Sequence, residues 1–297
     1  MICAIWGWNF VITKVAVSHF PPIFFTALRF LLVAALMLPW LRWRKGQMWL
    51  VLSAALCMGT LHFSLMVTGI ALADDVSVVA VVTQLGVPIA TLMAVLMLGE
   101  RIRWKRSLGI ALAFGGTMVI SFDPKVLSYQ GALILCLIAV TVMSFGQIII
   151  RRIRDVDTFT MQAWVGLISA PSLLLISLLA ENGHLESVQS ASAWHWTSVI
   201  YAAVAVSVIG HGGTYFLLRR YPVSIVNPGF TLAPVLGVLS GVMFLGEQLS
   251  ARVLIGTAIT LFGVLIVALR EAQAAEACGA TSAEPALEPI ANRMAGQ

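Results

Sequence analysis

Long, uninterrupted runs of apolar residues make up most of the chain, and short clusters of charged, Pro and Gly residues separate them. A membrane-spanning helix needs roughly 20 consecutive apolar residues, whereas a membrane-barrel strand alternates apolar and polar residues over about 10. The runs here are continuous, which predicts helices. The expected spans are residues 1–18, 22–40, 49–72, 76–98, 104–122, 129–150, 159–180, 194–218, 223–245 and 251–269.

Composition supports this interpretation and excludes a soluble protein. Of 297 residues, 60% are hydrophobic and only 10% are charged, with a mean hydropathy of +0.95. A soluble globular protein carries about 25% charged residues. The sequence therefore predicts an all-α, polytopic protein of ten transmembrane helices, with the lipid bilayer of the plasma membrane as its surroundings.

The distribution of Lys and Arg predicts the orientation of the spans. Thirteen basic residues flank the spans on one side, whereas only Lys125 and Arg252 lie on the other. Basic residues accumulate on the cytoplasmic side of membrane proteins, so both termini are expected to be cytoplasmic. The net charge of +5 is explained by this bias and does not indicate a nucleic-acid partner.

An internal repeat relates the two halves of the chain. Residues 77–121 and 224–268 share a pattern at an offset of 147, in which Leu-Gly-Glu is followed by two spaced glycines. Ten spans then divide into two units of five, at residues 1–122 and 129–269, with a disordered cytoplasmic tail at 270–297. Because five is odd, the second unit must be inverted relative to the first, which is typical of secondary transporters.

The opening of the chain resembles a known family. The segment Trp6-Gly7-Trp8-Asn9-Phe10 with Lys14, followed by Pro21-Pro22 and Leu28-Arg29-Phe30, is similar to the start of EamA family proteins of the drug/metabolite transporter superfamily. The closest likeness is to the O-acetylserine/cysteine exporter branch. The resemblance implies ten helices in two inverted repeats around a central cavity, formed mainly by spans 1, 3, 4, 6, 8 and 9. It also implies export of small metabolites, such as amino acids or cysteine-pathway compounds, by alternating access.

Four Lys, Arg or His residues lie within the spans and outside the first and last three residues of each: Lys14, Arg29, His62 and His211. Such residues are costly in lipid and are candidate functional residues. The two histidines are 149 positions apart, close to the repeat offset, so they form a candidate pair facing the cavity, for substrate or for a coupling proton. The alternative is that both only hydrogen-bond to neighbouring helices.

Lys14 and Arg29 lie near the outer ends of their spans and leave two interpretations open. They could attract a substrate carboxylate, or their long side chains could extend to the membrane interface. The Asn9 amide, near the middle of span 1, is equally suited to substrate contact and to interhelical hydrogen bonding.

Pro88 and Pro234 occupy nearly matching places in spans 4 and 9. Proline frees a backbone carbonyl one turn back, and freed groups at matched positions of inverted repeats indicate a binding site. The alternative is that the prolines only bend the helices. The polar residues expected to line that site are Thr83, Gln84, Tyr215, Asn227 and Thr231.

No Asp or Glu lies within a span, which removes the usual carboxylate proton relay. The sequence also has no nucleophile motif, metal-ligand spacing or phosphate-binding loop, so no catalytic residue, metal or cofactor is expected. The predicted function is a secondary transporter of a small-molecule substrate rather than an enzyme. An intramembrane enzyme acting on a lipid-linked substrate and a non-transporting scaffold are the alternatives; a homodimer is compatible with the sequence.

Overall fold

The computed structural model describes residues 1–98, 104–153, 156–213 and 232–282. Within these ranges the chain is helical and contains no β-strand. The α-helices are α1 Ile2–Val17, α2 Pro22–Met37, α3 Met48–Ala55, α4 His62–Leu72, α5 Val76–Thr83, α6 Gly86–Leu98, α7 Trp104–Ser121, α8 Pro124–Leu127, α9 Gln130–Arg151, α10 Thr158–Ala180, α11 His184–Gln189, α12 Ala193–Ile200, α13 Leu232–Leu245 and α14 Ala251–Ser282.

Two segments are π-helical, with a wider turn than the α-helix. The segment π1, Leu56–Leu61, joins α3 to α4, and π2, Tyr201–His211, continues α12. A short 3₁₀ turn, Leu38–Trp40, extends α2. Because α3, π1 and α4 are continuous, they form one rod, and α12 with π2 forms another.

Seven helical rods in the described residues are long and apolar enough to cross a membrane. The helices α1 and α13 are apolar but shorter. Most of the described helices lie close to the spans expected from the sequence, but α7, at the expected span 104–122, is not among these rods. Residues 214–218 of span 8 and 223–231 of span 9 lie outside the described residues. The seven rods are Pro22–Trp40, Met48–Leu72, Val76–Met97, Gln130–Ile150, Thr158–Ala180, Ala193–His211 and Ala251–Arg270.

The last helix differs from the expectation. The sequence analysis places a disordered tail after residue 269, but α14 continues to Ser282. The sequence from 271 to 279 is rich in Ala, Glu and Gln, which have high helix propensity, and this outweighs the loss of apolar periodicity. Residues 283–297 of the expected tail lie outside the described residues.

The rod of span 4 is interrupted just before Pro88. Helix α5 ends at Thr83 and α6 begins at Gly86, with tight three-residue turns at Gln84 and Leu85. Proline has no amide hydrogen and clashes with the preceding turn, which accounts for the break at this position.

Helices α7 and α14 pack through glycines. A Cβ atom on Gly109 would lie 2.9 Å from the Gly263 carbonyl oxygen, and one on Gly116 would lie 2.6 Å from that of Gly256. Gly109 thus faces Gly263, and Gly116, further along α7, faces Gly256, which comes earlier in α14. The two helices are therefore antiparallel. Small residues allow such backbone contact where lipid provides no hydrophobic driving force.

Two large apolar clusters hold the helices together. One surrounds α5 and includes side chains of α4, α6, α7, α9 and α14. The other surrounds α2 and includes side chains of α4, α10, α12 and π2. The second cluster contains Phe30 and Val33, which also line the cavity described next.

Candidate functional site

A cavity of about 60 Å³ lies among α2, π1, α4, α9, α10 and π2. It therefore involves spans 2, 3, 6, 7 and 8. Spans 3, 6 and 8 belong to the set expected to form the cavity, and spans 2 and 7 do not. The described residues of the expected spans 1, 4 and 9 do not line it. The lining residues are Arg29, Phe30, Val33, Met58, Phe63, Met143, Ile150, Met161, Gln162, Val165, Ser207 and His211.

Arg29 carries the charge of this cavity. Its side chain is buried, with 4% of the residue exposed. Nε and Nη2 donate hydrogen bonds of 3.1 and 2.9 Å to the Ser207 hydroxyl. The guanidinium carbon lies 4.5 Å from the centre of the Phe63 ring and 5.4 Å from that of Phe30. The residue thus points into the protein between two aromatic faces, a favourable setting for a cation.

The hydrogen-bonding capacity of Arg29 is only partly used. Among the described residues, Nη1 has no hydrogen-bond acceptor, and no Asp or Glu forms an ion pair with the guanidinium. A buried charge without a partner is strongly unfavourable. A guanidinium fork with free donors beside a cavity has the geometry that binds a carboxylate in two parallel hydrogen bonds.

Ser207 and Gln162 complete the polar wall. The Gln162 Nε2 donates to the Ser207 carbonyl at 3.0 Å, so the amide oxygen Oε1 remains an acceptor. The Ser207 hydroxyl also donates to the Ala202 carbonyl at 3.2 Å, five residues back. Neither residue was among the sequence candidates. A neutral polar residue in an apolar helix commonly bonds to its own backbone, so its identity alone gives no signal.

The two candidate histidines occupy different positions. His211 lines the cavity, and its ring centre lies 5.6 Å from that of Trp6. His62 is buried behind the wall, and its Nδ1 donates to the Ala139 carbonyl at 2.9 Å. Both lie within electrostatic range of Arg29.

Each histidine adjoins a π-helical segment. His62 directly follows π1, and His211 is the last residue of π2. Spans 3 and 8 are the expected repeat-mates, so the wider turns occur at corresponding places. Single π-helical turns within longer helices are frequent at functional sites, and the six-residue segment π1 is of this kind, whereas π2 spans 11 residues. The hydropathy pattern gives no sign of these segments. The residues around them are apolar on all sides of the helix, so a change in the number of residues per turn does not alter the pattern.

Lys14 lies apart from the cavity lining. Its Nζ donates to the carbonyls of Ile70 and Ala71, at 3.2 and 3.1 Å, and to that of Ala73. These carbonyls end α4, so the ammonium group satisfies a helix C-terminus and complements its dipole. Asn9 accepts a 3.4 Å hydrogen bond from Thr13 within α1.

Among the described residues, those near the prolines do not line this cavity. The Thr83 hydroxyl donates to the Ala80 carbonyl at 2.8 Å, and Gln84 follows at the break of span 4. Pro88 and Pro234 are buried in α6 and α13. The remaining candidates, Tyr215, Asn227 and Thr231, lie outside the described residues.

Polar contacts at the start of α5 and just after the end of α7 connect the two halves of the chain. Glu247 accepts hydrogen bonds from the amides of Val76 and Ser77, at 2.6 and 3.0 Å, and so caps the N-terminus of α5. Asp123 accepts from the Ser250 hydroxyl, and this bond lowers the pKa of the Asp123 carboxyl. Within the second half, the Thr160 amide and hydroxyl donate to the Asp157 carboxylate, which caps the N-terminus of α10.

Comparison with known proteins identifies the family. The EamA-like transporter family model matches residues 1–122 and 130–269. A protein of Salmonella typhimurium named "Probable amino-acid metabolite efflux pump" is 28% identical, over 90% of this chain and 92% of its own length. A protein of the same name from Escherichia coli is 26% identical, over 90% and 92%.

Two further matches concern location and fold. An uncharacterized inner membrane transporter of Escherichia coli is 26% identical, over 89% of this chain and 87% of its own length. A crystal structure that is 21% identical superimposes with a TM-score of 0.63, over 92% of this chain and 96% of that one, which shows a shared fold. Together with the apolar helices, these matches show that the chain belongs to the EamA-like transporter family, as a multi-pass transporter of the plasma membrane.

Proposed function

We propose that this protein is a secondary transporter that exports small amino-acid metabolites by alternating access, and that Arg29 binds the carboxylate of its substrate. The observation that carries the proposal is the buried guanidinium beside a cavity, with free donors and no carboxylate partner among the described residues. The names of the two efflux-pump relatives support the direction and the kind of substrate.

The topology proposed for this function is ten crossings in two inverted repeats, with both termini cytoplasmic. The glycine contacts support it, because a twofold axis that exchanges Gly109 with Gly256 and Gly116 with Gly263 maps the two contacts onto each other. Such an axis between antiparallel helices lies in the membrane plane. The two stretches matched by the family model, residues 1–122 and 130–269, also support two equivalent units.

The cavity is suited to a site that both halves reach. Arg29 and Phe63 belong to the first unit, and Gln162, Ser207 and His211 belong to the second. Rocking of the units would therefore change the distance between the Arg29 guanidinium and the Ser207 hydroxyl.

The apolar part of the cavity is lined by side chains that can change shape. Met58, Met143 and Met161 line the apolar part, and methionine side chains adapt their shape readily because they are unbranched.

Flux measurements in liposomes test the proposal. Purified protein is reconstituted, the lumen is loaded with labelled cysteine, O-acetylserine and other amino-acid metabolites, and efflux is compared with protein-free liposomes. We expect carrier-dependent efflux that saturates with concentration. Absence of flux for the whole panel, combined with turnover of a lipid-linked substrate, would instead support the enzyme alternative.

A further inference from the structure

We infer that the transported species is a carboxylate with net charge −1 and a neutral nitrogen or oxygen donor, such as an N-acyl amino acid or a 2-hydroxy acid, rather than a zwitterionic amino acid. This inference rests on the proposed function and specifies its substrate class.

The charge balance of the cavity leads to this class. Arg29 brings one buried positive charge, and among the described residues no Asp or Glu lines the cavity. The sequence places no Asp or Glu in any expected span, so the spans themselves supply no carboxylate to pair with a substrate ammonium. A monoanion neutralises Arg29, whereas a zwitterion leaves its own ammonium unpaired in a medium of low polarity, which is costly.

The neutral polar groups fit the rest of such a molecule. With Nε2 bonded to the Ser207 carbonyl, the Gln162 Oε1 is available to accept a hydrogen bond from an amide N–H or a hydroxyl. Gln162 and Arg29 line the same cavity and are joined through Ser207, so one substrate can contact both.

The remaining lining favours an apolar body. Besides the four polar residues, the cavity presents Phe, Val, Ile and three Met side chains. A branched aliphatic side chain would bury its methyl groups against them, which is favourable because apolar surface is removed from water. N-acetylvaline, with valine as its zwitterionic counterpart, is therefore the informative pair of probes.

The experiment compares these two probes in proteoliposomes. Efflux of labelled N-acetylvaline and valine is measured at pH 7, with and without an inside-negative potential set by potassium and valinomycin. We expect at least tenfold faster N-acetylvaline efflux, accelerated by the inside-negative potential because a net negative charge leaves. Equal or faster valine efflux, independent of potential, would overturn the inference and leave the proposed function standing. Absence of flux for both probes would also overturn the inference, and the wider panel of metabolites would then decide the proposed function.

A charge substitution provides a second test. Gln162→Glu places a carboxylate beside Arg29, and we expect the N-acetylvaline-to-valine rate ratio to fall at least tenfold. Gln130→Glu is the matched control, because Gln130 lies at the start of α9 and bonds to the Ser121 carbonyl. An unchanged ratio in a folded Gln162→Glu protein would contradict the inference, and the wild-type comparison decides it if that variant does not fold.

Discussion

The Arg29 guanidinium donates twice to a single acceptor, the Ser207 hydroxyl, with Nε–Oγ and Nη2–Oγ distances of 3.1 and 2.9 Å. These two residues are separated by 178 positions and belong to opposite halves of the chain. Because the hydroxyl holds the guanidinium fork in place, this contact fixes the direction in which the free Nη1 donors point.

Removal of the Ser207 hydroxyl should weaken substrate binding without removing it. A hydrogen bond to a charged group contributes about 1.5–3 kcal/mol, and roughly 1.4 kcal/mol corresponds to a factor of ten in affinity. We expect Ser207→Ala to raise the KM of efflux roughly tenfold. Ser198→Ala is the control, because Ser198 is buried in the same rod but bonds only to the Trp194 carbonyl. Equal effects of both substitutions would assign Ser207 a purely structural role.

The two histidines should differ in their contribution to transport. His211 lines the cavity, so His211→Gln should change KM and the pH dependence of efflux. His62 bonds to the Ala139 carbonyl, and a glutamine amide can donate the same bond. We therefore expect His62→Gln to have the smaller effect. If both variants show wild-type rates and pH profiles, the histidines serve only in packing.

The α7–α14 contact should tolerate no added methyl group. A Cβ atom on Gly116 would lie 2.4 Å from the Thr260 hydroxyl, whereas one on Gly115 would meet no atom within 4 Å. Overpacking costs about 1–3 kcal/mol, so Gly116→Ala should lower the melting temperature in detergent. Gly115→Ala should be neutral or stabilising, since alanine is favoured over glycine in helices. A similar melting temperature for both variants would contradict the close packing.

Glu247 should stabilise the start of α5. Its carboxylate accepts two backbone hydrogen bonds, and an amide oxygen can replace only one of them. We expect Glu247→Gln to cost about 1–2 kcal/mol of stability. Glu186→Gln, at an exposed position, is the comparison, and both are followed by thermal unfolding in detergent. An effect no larger than that of Glu186→Gln would exclude the capping role.

Asp123 should make stability depend on acid. Its pKa is below the ordinary value of 3.8, because the Ser250 hydroxyl donates to it and further hydrogen bonds and Arg252 add to the effect. A lowered folded-state pKa contributes stability that is present above the unfolded pKa and lost as pH falls through the folded value. The stability advantage over Asp123→Asn should therefore be constant near pH 7 and decline below about pH 4. An advantage that persists at pH 2 would contradict this assignment.

The sequence predicts the membrane helices and part of the site, each for a clear reason. Spans follow from continuous hydropathy, and Arg29 and His211 are conspicuous because ionisable residues are rare in apolar runs. Gln162 and Ser207 are not conspicuous, since Ser and Thr hydroxyls in other spans, such as the partly buried Thr141 with Leu137, simply bond one turn back. Their role depends on which helices meet, and that is a property of the tertiary packing.

The most direct test of whether Arg29 binds the substrate is to measure efflux of N-acetylvaline by the variants Arg29→Gln and Arg29→Lys. The control is Arg42→Gln, which alters an exposed residue. We predict that Arg29→Gln abolishes saturable efflux and that Arg29→Lys retains a fraction of it, because lysine keeps the charge but not the fork. Arg42→Gln should match the wild type. Wild-type efflux by a folded Arg29→Gln protein would contradict the central claim that Arg29 binds the substrate.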